Sequence, residues 1–370
     1  MSLSRANAVF ERITGDDFEQ VVFAHDKASG LRAIIAVHST RLGPALGGAR
    51  FHHYTSESAA LDDALRLARA MTYKAAAAGL DLGGGKAVIL GHPETDKTES
   101  LMRAFGRHVD ALGGRYITAE DVGTDQADMD LLRRETPFVT GISPDLGGSG
   151  DPSPATAQGV LWAMRAVAER CWDSPSLAGR HVAIAGLGKV GRALAELLVA
   201  EHAALTVGDV IEARTTEAVE TLGAASAPAE KIHTVECDIF APCALGGALN
   251  RSTAAELRAT AVVGAANNQI DEPSVLETLA AAGVLYAPDY VVNAGGLINI
   301  AGELGLGGWN ASRAEAAVRR IYATTSQVLD LSSAMSISTA AAADRLALAR
   351  IEAVGRVGDI RRTSPALAGR

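Results

Sequence analysis

The sequence has few aromatic residues and no long apolar stretch. These shortages argue against an aromatic core and against a membrane-spanning protein. Only 4% of the 370 residues are Phe, Trp or Tyr, although 48% are hydrophobic, so we expect a core built from aliphatic side chains. No run of about 18 apolar residues offers a membrane-spanning helix. Residues 1–11 carry Arg and Glu instead of an apolar signal segment, so we expect a cytoplasmic protein.

The sequence also has few cysteines and fewer basic than acidic residues. The chain has 34 Lys and Arg against 43 Asp and Glu, and nucleic-acid binding needs a basic surface, so we expect neither a nucleic acid nor an anionic membrane as partner. The three cysteines form no CxxC pair, which is typical of reduced thiols. Cys237 and Cys243 are expected to pack around a short strand. The histidines lack metal-ligand spacing, so no metal is expected.

Short apolar segments and amphipathic segments alternate along most of the chain. A length of 370 residues exceeds one ordinary core and favours two domains. The Gly/Pro/Ser-rich segment 145–154 indicates the boundary. We expect domains at 1–149 and 150–324, with the C-terminal helical segment 325–370 joined to the first. Beyond the boundary, strands alternate with helices, which predicts α/β structure with a parallel sheet covered on both faces.

The pattern also predicts individual elements. Ser56 is a candidate N-cap for the first long helix and Gly79 lies just past its end. The expected strands are 31–37, 87–90, 115–118, 181–185, 204–207, 238–241, 261–263 and 284–287. The expected helices are 56–78, 97–112, one ending near 135, 155–170, one beginning at 188, and a helical tail from about 310.

A glycine fingerprint follows an apolar strand in the second half of the chain. Gly186, Gly188 and Gly191 are spaced as GxGxxG; the first permits a tight turn, the second lets a pyrophosphate approach, and the third allows close helix–strand packing. Asp209 ends the next strand about 20 residues on, where a carboxylate binds a ribose diol and repels a 2′-phosphate. The pattern predicts an NAD site, while Arg214, the nearest basic residue, leaves NADP open.

Two lysines frame a glycine-rich stretch in the N-terminal half. Lys74 lies on the flank of the apolar stripe of the first long predicted helix, a position that leaves open an amine that only reaches water. Lys86 directly follows three glycines, on an expected loop. A lysine in apolar surroundings pairs with an anion or gives up its proton, so the two predict a site that binds a carboxylate and transfers protons. The glycines are not a P-loop, because Leu80 and Ala87 stand where that loop needs Gly and Ser or Thr.

Together these motifs resemble the amino acid dehydrogenases of the glutamate/leucine/phenylalanine/valine family, most of all the leucine and valine dehydrogenases. The resemblance covers nearly the whole chain and implies an N-terminal α/β substrate domain, a Rossmann-type NAD-binding domain, a catalytic cleft between them and a homo-oligomer. It rests on seven motifs in the family's order: LGPALGG (42–48), MTYK (71–74), GGGK (83–86), TAEDVGT (118–124), GLGKVG (186–191), GAANN (264–268) and APDYVVNAGG (287–296).

The resemblance implies a role for each polar residue. Lys74 would bind the substrate α-carboxylate, Lys86 would be the general acid/base that activates water, and Asp121 would move protons to and from the amino group. The implied reaction converts an L-amino acid, NAD and water into a 2-oxo acid, ammonium and NADH. For Asn268 and Asn293 the residues alone leave a purely structural role open. The further cofactor contacts implied are Lys189, Val190, Thr156, Ala241, Pro242, Asn268 and Asn293.

The residue before Gly47 and Gly48 indicates the substrate side chain. In the glutamate dehydrogenases a lysine there pairs with the side-chain carboxylate, whereas this chain has the uncharged Leu46. Apolar pockets separate neighbouring methylenes by only about 1–3 kcal/mol, so leucine, valine and isoleucine are all expected as substrates. The implied substrate contacts are Gly47, Gly48, Met71 and an aliphatic pocket of Leu46, Ala119, Val291 and Leu297.

Two alternatives stay open at this point. One is a phenylalanine dehydrogenase, within the same class of enzyme. The other is a non-catalytic NAD-binding sensor, which predicts loss of Lys86 or Asp121, and both are present. One departure from the family pattern is Ala75, where many relatives carry asparagine.

Overall fold

The computed structural model describes residues 9–244 and 246–355, and the chain divides into two compact units. The first comprises the described residues of Met1–Asp151, Ile300–Ala311 and Ala347–Arg370, and the second comprises Pro152–Asn299 and Ser312–Leu346. We expected the C-terminal segment 325–370 to join the first domain as a whole. It is instead divided, because residues up to Leu346 belong to the second unit and the described residues from Ala347 belong to the first.

The strands and helices of the described residues have the following bounds. The strands are β1 Gln20–Asp26, β2 Leu31–Ser39, β3 Ala45–His52, β4 Gly83–Leu90, β5 Tyr116–Glu120, β6 His181–Ala185, β7 Ala204–Gly208, β8 Ala225–Ser226, β9 Cys237–Pro242, β10 Ala259–Val262 and β11 Leu285–Tyr286. The helices are α1 Val9–Gly15, α2 Glu57–Ala77, α3 Pro93–Asp96, α4 Glu99–Asp110, α5 Gln126–Arg133, α6 Ser153–Trp172, α7 Lys189–Ala200, α8 Glu212–Leu222, α9 Arg251–Glu256, α10 Ser274–Ala281, α11 Asp289–Val292, α12 Gly295–Ala301, α13 Ala311–Arg319, α14 Ile321–Met335 and α15 Thr339–Gly355. None of these helices combines the length and the apolar character that crossing a membrane requires.

The first unit contains a mixed sheet in the order β1-β2-β4-β3-β5. β2 runs antiparallel to β1 and β4, whereas β3 runs parallel to β4 and β5. The sequence did not predict β1 or β3. β1 alternates weakly because much of it is only half-buried, and β3 contains two glycines, which normally weaken a strand.

β4 begins at Gly83, four residues before the predicted strand. Its glycines are required by crowding inside the sheet and are not part of a loop. A Cβ on Gly83 would lie 1.8 Å from the carbonyl oxygen of Ser39, and one on Gly84 would lie 2.1 Å from the backbone nitrogen of Thr72. Both distances are far below van der Waals contact, so α2 and β2 approach β4 this closely only because side chains are absent.

The two faces of this sheet are covered by different helices. Along a strand the side chains alternate between faces. Val88 packs with α2 residues such as Leu61 and Leu65, whereas Ala87 and Ile89 pack with α4 and α5 residues, which include Phe105 and Leu132. By this alternation Lys86, like Val88, lies on the face that α2 covers.

α2 is the helix whose ends the sequence predicted. The Ser56 side chain accepts a hydrogen bond from the backbone N–H of Ala59 at 3.1 Å, so it is the N-cap. Gly79, just past the end, has φ +73°, a left-handed conformation that suits glycine. Both predictions are confirmed.

The second unit contains a parallel sheet in the order β11-β10-β9-β6-β7-β8. The chain starts at the centre with β6, fills one side through β8, and returns to fill the other from β9. This is the doubly wound Rossmann order, in which ligands bind at the carboxyl ends of the strands where the order reverses, here β6 and β9. The predicted parallel α/β sheet is confirmed, and β6 has the predicted bounds.

Candidate active site

Lys86 and Asp121 form a buried ion pair in the first unit. Lys86 lies in the middle of β4 and Asp121 directly follows β5, the two strands that flank β3. The Lys86 Nζ lies 2.7 Å from the Asp121 Oδ2, and the two side chains are 8% and 19% exposed. The fold therefore brings together the two predicted catalytic groups from positions 35 residues apart in the sequence.

The environment of Asp121 keeps its carboxyl group ionised. Burial raises the pKa of Asp121, but the positive charges of Lys86 and Arg50, together with the hydrogen bond from Lys86, outweigh burial and bring the pKa below its ordinary value of 3.8. The Asp121 carboxylate therefore accepts a charge-assisted hydrogen bond from Lys86, and such a bond at this distance is a strong one.

Of the predicted substrate residues on the strands of the first unit, Leu46, Gly48 and Ala119 share one face of the sheet, whereas Gly47 falls on the other face. On β3, Ala45, Ala49 and Phe51 pack toward α4 and α5, so the alternating positions face α2. On β5, Tyr116 packs toward α4, so Ala119 and the position of Asp121 fall on the α2 side. The residues on this α2 face are Leu46, Gly48, Arg50, Gly84, Lys86, Ala119 and Asp121.

Lys74 and Met71 lie on α2, the helix that covers this face. Both are half-buried, and the neighbouring Ala75 is fully buried. Leu46 and Ala119 are buried at 0% and 3% exposure. Lys74 thus belongs to the same layer as Lys86, as a site with two lysines requires, although its contact with a substrate carboxylate stays a prediction.

Gly47 and Gly48 are needed by the sheet itself. A Cβ on Gly47 would lie 1.7 Å from the carbonyl oxygen of Gly85, and a Cβ on Gly48 would lie 2.8 Å from the Cβ of Asp121. A side chain at position 48 would therefore displace Asp121 from Lys86. Whether the two glycines also contact substrate stays a prediction.

The sequence analysis missed two charged residues of this site, Arg50 and Asp63. The Arg50 Nε donates to the Asp121 Oδ2 at 3.1 Å, and its Nη1 donates to the Asp63 Oδ2 at 3.0 Å. Arg50 follows the Gly47 motif on β3, and Asp63 lies on α2. No local pattern connects residues this far apart in the sequence, so only the strand pairing reveals them.

The loop that carries Asp121 is fixed from both ends. The Asp121 N–H donates to the Thr124 Oγ1, and that hydroxyl donates to the carbonyl of Ala49, both at 2.9 Å. The Lys97 Nζ donates to the carbonyl of Gly123 at 3.3 Å and pairs with Asp128 at 2.7 Å. The position of the carboxylate is therefore set by the backbone of β3 and by α5.

In the second unit, the three glycines of the fingerprint, which follow β6 and extend into the first turn of α7, have three distinct environments. Gly186 has φ +102°, and its N–H donates to the carbonyl of Gly208 at 2.8 Å. A Cβ on Gly191 would lie 2.0 Å from the carbonyl oxygen of Gly186, whereas a Cβ on Gly188 would meet nothing within 4 Å. Open space at the N-cap of α7 fits a pyrophosphate, since helix N-termini attract anions. Lys189 and Val190 form the first turn of this helix.

Asp209 lies at the carboxyl end of β7 with its side chain 5% exposed. Its Oδ2 accepts from the N–H of Leu187 at 2.6 Å, and its Oδ1 accepts from the N–H of Ile211 at 2.8 Å. The Arg214 guanidinium lies 3.6 Å away, so its charge is engaged by Asp209. The carboxylate is thus held beside the glycine loop, as the fingerprint for a ribose diol requires.

The loop after β10 is held by side-chain amides. The Asn293 Nδ2 donates to the carbonyl of Ala265 at 3.0 Å and to the Asn267 Oδ1 at 2.8 Å. Gln269, which the sequence analysis missed, is fully buried and donates to the carbonyls of Gly264 and Ala266. Asn293 therefore has a structural role in the described contacts, and a contact with the cofactor stays a prediction.

The remaining predicted residues of the second unit lie near these loops or in its helices. Asn268 is exposed with φ +52°, a left-handed conformation that asparagine tolerates. The Thr156 hydroxyl donates to the carbonyl of Pro152 at 3.0 Å in the first turn of α6. The others are Ala241 and Pro242, at the end of β9, and Val291 and Leu297, buried in α11 and α12.

Burial disfavours the thiolate form of the three cysteines and raises the pKa of each. All three are free thiols. Burial raises the pKa of Cys237 to about 12 and that of Cys243 to about 11. Cys237 lies in β9 and Cys243 directly after it, which agrees with packing around a strand. Within residues 9–244 and 246–355, no group of three or more His, Cys, Asp and Glu is arranged to hold a metal ion.

Comparisons with known proteins agree with this geometry. Residues 18–138 match the family model described as Glu/Leu/Phe/Val dehydrogenase, dimerisation domain, and residues 208–357 match the model described as Glutamate/Leucine/Phenylalanine/Valine dehydrogenase. The chain is 52% identical over 344 residues to a leucine dehydrogenase of Geobacillus stearothermophilus, which covers 93% of both chains. The chain belongs to this dehydrogenase family. The predicted family, two-domain α/β fold and class of enzyme, an amino acid dehydrogenase, are confirmed.

Other relatives and solved structures extend the comparison. A valine dehydrogenase of Streptomyces coelicolor is 52% identical over 336 residues, covering 90% of this chain and 92% of its own. The crystal structure of an L-tryptophan dehydrogenase from Nostoc punctiforme superposes with a TM-score of 0.82 at 42% identity, over 94% of this chain and 99% of that one. A hetero-hexameric glutamate dehydrogenase from Thermus thermophilus superposes with a TM-score of 0.77 at 25% identity, over 93% and 91%.

Proposed function

We propose that this protein catalyses the reversible, NAD-dependent oxidative deamination of a branched-chain L-amino acid, leucine, valine or isoleucine, to the 2-oxo acid and ammonium. The observation that carries the proposal is the Lys86–Asp121 ion pair, buried on the same sheet face as the apolar Leu46. The likeness to leucine and valine dehydrogenases at about half identity supports the substrate class.

Each residue of the first unit has one task in this mechanism. Lys74 holds the substrate carboxylate by charge, so that the α-carbon is presented in one orientation. In its free-amine form, the Lys86 Nζ takes a proton from the water that attacks the imine carbon, and so acts as a general base in that step. Asp121 accepts and returns the protons of the substrate nitrogen, so that ammonium leaves. NAD, when bound, would supply the acceptor for the hydride of the α-carbon.

The proposed cofactor contacts lie in the second unit. Gly186, Gly188 and Gly191, with the first turn of α7, fit a pyrophosphate, and Asp209 fits a ribose diol. The choice of NAD over NADP rests on Asp209, because a 2′-phosphate would face a carboxylate there. Arg214 does not offset this charge fully, since it is half-exposed and 3.6 Å from Asp209.

The proposed selectivity rests on the absence of charge around the substrate side chain. Leu46 and Ala119 of the first unit are apolar, and each is at most 3% exposed. A substrate carboxylate beside them would lose its hydration without finding a partner, which is costly. Glutamate is therefore a poor substrate, whereas aliphatic side chains gain from burial.

An aromatic L-amino acid is the second candidate substrate. The specific observation in its favour is the structural likeness, at 42% identity, to an enzyme whose printed name is L-tryptophan dehydrogenase. We place it second because leucine and valine dehydrogenases match at 52% identity over nearly the full chain.

We also propose that the enzyme is a homo-oligomer. The first family model is described as a dimerisation domain, and one structural neighbour is a hetero-hexamer. Light scattering of the purified chain tests this, and a mass of about 38 kDa, that of one chain, would contradict it.

A substrate panel tests the proposed reaction. Initial rates of NADH formation are measured at alkaline pH with L-leucine, L-valine, L-isoleucine, L-phenylalanine, L-tryptophan and L-glutamate, each with NAD and with NADP. We expect kcat/KM for the three branched substrates within about 200-fold of one another and well above the rest, with NAD preferred. A preference for an aromatic substrate would support the second candidate, and NADH binding without any turnover would favour the sensor.

A further inference from the structure

Beyond the Lys86–Asp121 pair, charged side chains of alternating sign continue across the α2 face. Arg50 joins Asp121 to Asp63, and Asp63 in turn accepts from the Tyr54 hydroxyl at 2.7 Å and from Arg66 at 2.6 Å. Only Lys86 and Asp121 of this series have a task in the proposed mechanism. Arg50, Asp63 and Tyr54 need a reason to be half-buried, because desolvating charged and polar groups is expensive.

Arg50 is the member that touches the reacting pair. Its Nε and its Nη1 bind two carboxylates on different elements, Asp121 after β5 and Asp63 on α2, and its side chain is 22% exposed. The guanidinium group is planar and always charged, so it fixes both partners at set angles. The Asp121 Oδ2 is shared between the Arg50 Nε at 3.1 Å and the Lys86 Nζ at 2.7 Å.

We propose that Arg50, anchored by Asp63, is a positioning residue for the Lys86–Asp121 pair: it holds the Asp121 carboxylate against Lys86 and places a permanent positive charge beside the proton-transfer site. This inference rests on the proposed function, because it assigns a role within that reaction. It also adds a residue to the machinery that neither glycine spacing nor the lysine motif identified.

Because Arg50 carries a permanent positive charge, its removal should change the pH profile of kcat/KM, and this profile is the informative measurement. Arg50 contacts Asp121, and Lys74 lies on α2, the helix that covers this face. Asp63 contacts Arg50 and Tyr54, and Tyr116 on β5 lies on the opposite face within reach of the Asp121 charge. Burial raises the pKa of both tyrosines, so they stay neutral. Replacing Arg50 by a neutral residue removes one unit of positive charge, which raises the pKa of Asp121.

The test compares Arg50→Gln with Arg50→Lys and with the matched control Arg66→Gln, which also loses an arginine bound to Asp63 but does not touch Asp121. For Arg50→Gln we expect kcat to fall at least tenfold and the acid limb of kcat/KM to move by about 1 pH unit to higher pH. Arg50→Lys keeps the charge, so its profile stays in place while kcat still falls. Arg66→Gln behaves as the unmodified enzyme.

Several outcomes would overturn the proposal. One is an Arg50→Gln enzyme with reduced kcat and an unmoved pH profile, which is the behaviour of a merely structural residue. Another is an equal effect of Arg66→Gln. Should Arg50→Gln fail to fold, Arg50→Lys decides: full kcat in that variant would show that the two-nitrogen contact is unnecessary.

A second readout keeps this inference separate from the proposed function. Trace labelling of Lys86 with acetic anhydride, measured by peptide mass across pH, reports the free amine without any substrate. We expect a changed rate of labelling of Lys86 in Arg50→Gln compared with the unmodified chain at the same pH, because both the nearby guanidinium charge and the position of Asp121 beside the amine change. Unchanged labelling contradicts the role of Arg50. Absence of turnover in the unmodified chain contradicts only the proposed reaction.

Discussion

The candidate catalytic site of the first unit consists of charged side chains, whereas the candidate cofactor site of the second unit consists mainly of backbone groups. In the first unit, Lys86, Asp121 and Arg50 form a network of side-chain charges, mostly withdrawn from water. In the second unit, the site consists mainly of backbone: three glycines, a helix N-terminus and one carboxylate, Asp209, that accepts two backbone N–H groups. The difference follows from the task, since proton transfer needs titratable groups, whereas a pyrophosphate needs N–H donors and space.

Glycine serves the two candidate sites in different ways. In the sheet of the first unit, glycine is present because another strand or helix occupies the position of its side chain, as at Gly47 and Gly84. At Gly188 in the second unit the space is open. The same residue type therefore preserves the fold in one case and leaves room for a ligand in the other.

The largest expected effect is the loss of turnover in Lys86→Ala, which we compare with a loss of substrate binding in Lys74→Ala. Lys86→Ala removes the general base, so kcat falls by about 10²- to 10⁴-fold. Lys74→Ala removes a binding charge, so it raises KM for the amino acid more than it lowers kcat. Steady-state kinetics with L-leucine measures both, and a Lys86→Ala enzyme with nearly full kcat would refute the assignment of the base.

The second prediction compares two glycine substitutions. Gly47→Ala places a Cβ 1.7 Å from a backbone oxygen, so we expect a fall in thermal stability large enough to reduce soluble protein. Gly188→Ala meets no atom and needs no unusual φ, so it should fold normally and bind NADH at least about tenfold more weakly, a loss of about 1.4 kcal/mol. Thermal unfolding and NADH titration decide, and normal NADH binding by Gly188→Ala would argue against the pyrophosphate position.

The third prediction sharpens the role of the single carboxylate in the second half. Asp209→Asn keeps an acceptor oxygen for a backbone N–H but removes the charge that opposes a 2′-phosphate. We expect the ratio of kcat/KM for NAD to that for NADP to fall, with little change in KM for the amino acid. An unchanged ratio would mean that Asp209 does not face the cofactor ribose.

The smallest expected effect concerns stability in acid and belongs to the first half alone. Burial raises the pKa of Asp63, but hydrogen bonding by Tyr54 and the charge of Arg50 outweigh it, so the folded pKa lies below the ordinary value. Such a group adds stability above pH 4, and the addition is lost as pH falls through the folded pKa, about 1.4 kcal/mol per unit of lowering. Urea unfolding at pH 5 and pH 3 should show a smaller loss for Asp63→Asn than for the unmodified chain, and parallel losses would contradict this.

The sequence predicted best what is encoded locally. The bounds of β6, the glycine fingerprint and the caps of α2 each depend on a few consecutive residues, and all were found. The parallel sheet of the second unit followed from alternation of strands and helices, because such a chain has few other ways to cover both faces.

What the sequence could not predict depends on which strands become neighbours. β4 begins at Gly83 because α2 and β2 pack against its glycines, a fact of tertiary structure that overrides the low strand propensity of glycine. Arg50 contacts Asp121 because β3 pairs with β5, and Asp63 contacts Arg50 because α2 packs over this sheet. The C-terminal segment is divided because α14 packs against α6 in the second unit, whereas the described residues from Ala347 onward belong to the first unit.

The most direct test of this division of labour is the affinity of Lys86→Ala for NADH. If the first half supplies the chemistry and the second half holds the dinucleotide, the Kd measured by NADH fluorescence titration stays within about twofold of the unmodified chain, a difference below 0.5 kcal/mol, although turnover is lost. A Kd weakened more than about tenfold, or 1.4 kcal/mol, would show that Lys86 supports cofactor binding and would contradict the account.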